Sequence, residues 1–173
     1  MLERRSALAA AKPYRSNVLQ LGEAGGFTLT QVAGLGADFG VRLRTVLGEL
    51  PAKVGMAAES NGRTVMRVGP SQFWVIAPQA DDLSGVGAVT PLSNSRVRIL
   101  IDGAQARDVL SKGMALDFHR TVFTPGTFAM TGLHHTPVLV HCIGENSFHL
   151  YALRTFAMSV WDWLADAALE YAA

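Results

Sequence analysis

At 173 residues, with 49% hydrophobic and 17% charged side chains and a net charge of +1, the chain suits one compact domain or two small halves fused around one core. Acidic and basic residues are scattered, so nothing draws in nucleic acid or an anionic membrane, and no apolar run approaches the roughly 18 residues of a membrane-spanning helix. The single cysteine, Cys142, excludes an internal disulfide and a cysteine-based metal cage; within VLVHC it reads as a small buried hydrophobe.

Residues 1–16 read as an irregular arm. MLERRSALAAAKPYRS carries Arg4 and Arg5 but only a six-residue, weakly apolar stretch before Lys12, too short for a secretory leader, and a cytoplasmic protein is expected. Phe27 to Val32 is a β-rich run broken by Gly34 and Gly36. Phe39, Leu43, Val46, Leu47 and Leu50 then follow with the spacing of an amphipathic helix, which Pro51 should close. In KVGMAAESNGRTVMRV, Asn61-Gly62 lies between two β-capable runs and supplies the positive φ angles of a type I′ turn, so a hairpin is predicted. GPSQFWVIAP, Gly69 to Pro78, gives a turn and a third strand, and a short helical stretch should follow through Asp82.

The order then repeats. Arg96 to Ile101 alternates, with Val97, Ile99 and Ile101 on one face and Arg96 and Arg98 on the other. Gly103 ends that strand, and Ala106, Val109 and Leu110 begin a short helix. Thr127 to Leu133 and Val138 to Cys142 predict a second hairpin around His134-His135-Thr136-Pro137. GENSFHLYAL matches GPSQFWVIAP in Gly, Phe and Ala at a constant offset (144 − 69 = 75), and Thr155 to Tyr171 forms the closing helix. The predicted fold is α+β: two similar β-α-β-β-β-α units, about 17–85 and 95–171, with antiparallel sheets sharing one core and VGAVTPLSN as the link.

Several patterns invite chemistry. GLGADFG, Gly34 to Gly40, follows a strand and opens a helix like a dinucleotide fingerprint, but its third glycine is one place late and an antiparallel hairpin follows instead of a βαβ unit. A glycine-rich strand-to-helix turn is the plainer account. Of the histidines, His119, His134, His135, His141 and His149, the adjacent pair points to opposite faces of a strand, and Glu145 is the nearest carboxylate. Asp117 and His119 could be drawn as a dyad, yet no activated nucleophile accompanies them; Asp117 is better placed holding its loop through backbone hydrogen bonds. No catalytic, cofactor-binding or metal residue is assigned.

SNSRVRILIDGAQARDVLSKGMALDFH, FTPGTFAMTGL and FHLYALRTFAMSVWDWLADAALEY, together with the GPSQFWVIAP turn and RSAL near the start, resemble the gamma subunit of bacterial heterotetrameric sarcosine oxidases. The likeness runs from about Pro91 to Tyr171 and is looser over 17–65; Arg154-Thr155 stands where that family commonly has Arg-Ser, leaving a helix N-cap available. It implies the fold of the folate-binding domain of the glycine-cleavage T-protein. It also implies a non-catalytic structural subunit in an oxidoreductase complex of sarcosine catabolism. That complex oxidises sarcosine to glycine, releases hydrogen peroxide and passes the one-carbon unit to tetrahydrofolate. FAD, FMN, NAD and tetrahydrofolate are then expected in the partner subunits, and the large subunit with the folate domain is the expected partner. A stand-alone folate-binding or aminomethyltransferase-like protein of the same fold is the alternative. In the last helix, Phe156, Val160, Trp163, Leu164, Ala167 and Tyr171 form one apolar stripe and Met158, Trp161, Ala165, Ala168 and Leu169 a second. Met158, Trp161, Ala165 and Leu169 are the expected partner interface, with Trp161 as anchor.

Overall fold

The computed structural model describes residues 5–34 and 36–172; Arg4 of the arm and Leu35 of the glycine-rich turn lie outside them. The chain divides into two units, one of Gly26–Asn94 and one of Met1–Gly25 with Ser95–Ala173. Among the described residues, no helix is long and apolar enough to cross a membrane.

In chain order the first elements are β1 (Tyr14–Arg15), β2 (Gln20–Glu23), β3 (Thr28–Ala33), α1 (Phe39–Leu47), β4 (Ala57–Ser60), β5 (Arg63–Gly69), β6 (Gln72–Ala77) and β7 (Ala88–Pro91). There follow β8 (Arg96–Asp102), α2 (Ala106–Ser111), β9 (Phe128–Leu133), β10 (Thr136–Gly144), β11 (Ser147–Leu153) and α3 (Ala157–Ala168). Single 3-10 turns at Arg154–Phe156 and Leu169–Tyr171 flank α3.

In the unit Gly26–Asn94 the antiparallel sheet runs β4-β5-β6-β3-β7. Its hairpin turns at Asn61 (φ 53°) and Gly62 (φ 73°), both left-handed as a type I′ turn requires. Phe39, Leu43 and Leu47 of α1 bury against Val32, Val65, Phe73, Val75, Leu83 and Val86, while Val46 on the predicted stripe stays exposed. The helix ends at Gly48, whose left-handed φ of 82° lets its N–H reach the Arg44 carbonyl at 2.8 Å, three residues before Pro51. The short helix expected through Asp82 does not form. Asp81 instead pairs with Arg63, and Asp82 accepts the Ser84 N–H at 3.0 Å, so local carboxylate bonds hold that stretch in turns. The link also differs from expectation: Ala88–Pro91 pairs with β3, and Pro91 is tolerated because β7 is an edge.

In the unit Met1–Gly25 with Ser95–Ala173 the sheet runs β1-β2-β8-β11-β10-β9, antiparallel throughout. The end of the arm is regular where an irregular segment was expected: Tyr14–Arg15 pairs with β2. Leu19 and Leu21 are buried at a spacing of two, and β2 pairs with β8 in the register Leu21↔Ile101. Gly103 makes that approach possible. It adopts φ +125°, and a Cβ there would meet the Val18 carbonyl oxygen at 2.3 Å. Val97, Ile99 and Ile101 face the cluster under α2 and α3, joined by Val140, Phe148, Leu150, Val160, Trp161 and Leu164. The tight His134-His135 turn closes the β9–β10 hairpin, with His134 at φ 50°.

Each unit therefore repeats one scheme. β3, α1, β4, β5 and β6 of one correspond to β8, α2, β9, β10 and β11 of the other, with the same spatial strand order. Phe73 and Phe148 are each the second residue of the corresponding strands β6 and β11, and both are buried. Each unit holds one cluster of buried apolar side chains, and further buried ones, among them Leu29, Met66, Ile76, Leu139 and Tyr151, lie outside both clusters.

Candidate partner-binding surface and internal polar sites

The densest polar construction surrounds Arg107. α2 is one and a half turns long, and Arg107 sits between Ala106 and Leu110 on its inward side, where its side chain is buried. All five guanidinium N–H groups are committed. Nε donates to the Glu145 carbonyl at 2.9 Å, and Nη2 to the same oxygen at 2.6 Å and to Cys142 Sγ at 3.8 Å. Nη1 donates to the carbonyls of Phe118 at 2.6 Å and Phe123 at 3.1 Å. The guanidinium carbon lies 5.1 Å from the centre of the Phe148 ring. A planar fork is suited to this task because one buried cation satisfies carbonyls from a turn and a loop at once.

Outside it lies an open cleft of about 470 Å³ lined by Arg107, Asp108, Ser111, Leu116, Asp117, Phe118, His119 and Arg120. Asp117 and His119 do not form a dyad. Asp117 Oδ1 accepts the His119 backbone N–H at 2.8 Å, as the loop-holding account predicts, and His119 Nδ1 contacts Thr121 Oγ1 at 2.8 Å. Arg120 pairs with Glu145. The side chains of Arg107, Ser111, Asp117, His119 and Arg120 in the cleft are engaged in local structure.

The glycine-rich turn is explained by packing. A Cβ on Gly34 would lie 2.1 Å from the Phe39 ring, so the glycine makes room for the first core side chain of α1. The strand before it and the strands after it are antiparallel, so the setting for a pyrophosphate is missing. Among the described residues, no three His, Cys, Asp or Glu side chains gather as a metal-ligand set. His119, His134 and His135 are exposed, whereas Cys142 is fully buried, with burial raising its thiol pKa.

His141 and His149 face each other across β10 and β11. His141 is 1% exposed, neither of its ring nitrogens has a hydrogen-bond partner among the described residues, and burial pushes its pKa down to about 4. Burial first, then the Arg98 charge and His141, pushes His149 down to about 3. Both are neutral in the folded chain, while the unfolded chain takes up protons below about 6.5. Stability should be level above that value and fall as pH drops towards 4. For His141 alone the loss between pH 7 and pH 5 is roughly 2 kcal/mol. Urea midpoints at the two pH values check this: His141→Gln should flatten the dependence, and an equal slope in the variant would remove His141 as its source.

α3 rests on α2 and β11. Ala157, Val160, Trp161, Leu164 and Ala168 bury into the cluster, so the two stripes of the sequence merge into one broad inner face. Trp161, at 4% exposure, belongs to this core, which leaves it no free surface for a partner. Of the other expected interface residues, Met158 is 36% and Leu169 62% exposed, while Ala165 is half-buried and packs against the edge of the cluster. Thr155 does not cap the helix; a 3-10 turn leads into it instead, and no side chain bonds its first amides. Beside α3, Leu133, His134, His135, Thr136, Ser159, Val160 and Trp163 line a groove of about 340 Å³, with the His134 and Trp163 rings edge to face at 5.3 Å. The sequence did not single out Arg107. The available signal was a charge inside an apolar stripe, between Ala106 and Leu110.

Comparison with known proteins places these features in context. The model of the "Sarcosine oxidase, gamma subunit family" matches residues 79–170. "Sarcosine oxidase subunit gamma" of Corynebacterium sp. (strain P-1) and that of Arthrobacter sp. are each 32% identical over 133 residues, 71% of this chain and 66% of the relative, just under two thirds of its length. Among solved structures, a chain of the heterotetrameric sarcosine oxidase from Corynebacterium sp. U-96, in complex with pyrrole 2-carboxylate, matches with a TM-score of 0.87 and 28% identity. That match covers 98% of this chain and 97% of that one. The glycine cleavage system aminomethyltransferase T from Bartonella henselae matches with a TM-score of 0.60 at 15% identity, over 85% of this chain and 45% of that one, a likeness of fold alone.

Proposed function

The chain belongs to the sarcosine oxidase gamma subunit family, and from that premise we propose that it is a non-catalytic structural subunit of a sarcosine-oxidase-type heterotetramer. The observation that carries the proposal is the structural match, end to end on both chains, with a chain of a heterotetrameric sarcosine oxidase. The use of polar groups supports it. Arg107 is bound to carbonyls, Asp117 to a backbone amide and His119 to Thr121, so the cleft's best-placed groups serve the fold. In the assembly, oxidative demethylation of sarcosine to glycine and one-carbon transfer to tetrahydrofolate fall to the partner subunits, with FAD, FMN, NAD and folate held there. The large subunit with the folate domain is the proposed neighbour, and a cytoplasmic location is part of the proposal.

Co-expression with the other subunits of a sarcosine-oxidase-type heterotetramer tests this directly. The tagged chain should bring down the other subunits in fixed stoichiometry, and the complex should release peroxide from sarcosine. The isolated chain should be colourless and release none. A bound flavin in the isolated chain, or a low-micromolar tetrahydrofolate affinity by calorimetry, would favour the stand-alone folate protein instead.

A further inference from the structure

We propose that the outward face of α3 is a docking strip for a segment of another subunit that combines apolar side chains with lysine or arginine. This rests on the subunit role above and gives the partner's chemistry. Met158, Ala165 and Leu169 stand at i, i+7 and i+11, which puts them within about 40° of one another on the helix. Leu169 is 62% exposed and Met158 36% among the described residues. Alongside, on the same face, stand Asp162 and Asp166, both exposed and neither in an ion pair among the described residues. Two of the chain's own cations lie at the ends of the helix. Arg154 donates to the Arg5 carbonyl before the helix, and Lys112 pairs with Glu170 after it.

The placement of these carboxylates does not serve the helix. Asp162 stands at the middle of the helix and Asp166 in its last turn, where the backbone carbonyls favour cations, and no basic residue stands there. Their charge is left to water in the free chain and is open to a cationic partner. The occupant follows from the sign. A second copy using this strip would set carboxylates against carboxylates across a two-fold axis, a repulsive arrangement. A basic, apolar segment instead covers the methionine and leucine and neutralises the two aspartates.

Subunit exchange in the intact heterotetramer tests the strip, with labelled chain released into an excess of unlabelled chain. Raising salt from about 50 to about 500 mM should speed release of the wild-type chain severalfold, because exposed charges are screened over that range. The double variant Asp162→Asn with Asp166→Asn should release about three- to tenfold faster at low salt and lose most of the salt effect. The free double variant should melt no lower than wild type, which a merely structural role for the aspartates would not give. Leu169→Glu should weaken assembly while leaving the free chain's melting temperature unchanged. Release and salt dependence unchanged in the double variant would overturn the proposal. So would self-association of the free chain that Leu169→Glu abolishes, since a second copy would then be the occupant. A wild-type chain that never enters the heterotetramer would overturn the subunit role, and the strip with it.

Discussion

Replacing Arg107 by methionine is expected to lower the stability of the unit that holds α2 and α3 by about 3–5 kcal/mol. Methionine fills similar space and removes the buried charge, which by itself is favourable. The loss comes from what the guanidinium leaves behind. The carbonyls of Phe118, Phe123 and Glu145 lose a shared donor, and the Phe148 face loses its cation. Unpartnered buried carbonyls cost about 1–3 kcal/mol each, and the two buried ones of Phe118 and Phe123, with the partly buried one of Glu145, outweigh the desolvation saved. Lysine should rescue only part, because a single ammonium cannot span Glu145 and the two phenylalanine carbonyls together. Urea unfolding gives the magnitude. Amide exchange gives the location, since the loop from Asp117 to Phe123 should lose protection before the strands do. A loss below about 1 kcal/mol in Arg107→Met would mean that water replaces the fork without penalty.

That network marks a boundary of what the sequence discloses. The repeat was legible because it lives in local signals. Asn61-Gly62 allows one kind of turn, Val97, Ile99 and Ile101 alternate cleanly, and Gly, Phe and Ala recur at matching places in β6 and β11. Elements fixed by partners distant in sequence were not legible. β2 owes its existence to β8, and β7 owes its own to β3; both look like loop until the neighbouring strand supplies hydrogen bonds. The missing helix near Asp82 is the converse, a local tendency overruled by carboxylate bonds to Ser84 and to Arg63. The same rule divides the sites. Asp117 could be assigned because its partner lies two residues away, whereas the five bonds of Arg107 reach residues 11 to 38 positions distant.

The last helix shows the rule at single-residue scale and gives the second large effect. Trp161→Ala should cost about 3–5 kcal/mol, while Leu169→Glu should change stability by less than about 0.5 kcal/mol. Both residues belong to one apolar stripe on a helical wheel, so periodicity alone treats them alike. The difference is angular and depends on what lies beneath. Trp161 lies about 60° to one side of Met158, toward Leu164 and Ala168, and sinks into the cluster with them. Leu169 lies about 20° to the other side and stays out, past the point where α3 tightens into its terminal 3-10 turn. Removing the indole therefore leaves a cavity against the sheet, whereas a carboxylate at 169 replaces a leucine that already faces water. Paired urea titrations of the two variants decide it. If Leu169→Glu lost as much stability as Trp161→Ala, the outward strip would be core, and the docking proposal would lose its surface. If Trp161→Ala proved harmless to the fold yet released the chain from its complex, the tryptophan would be the partner's anchor after all.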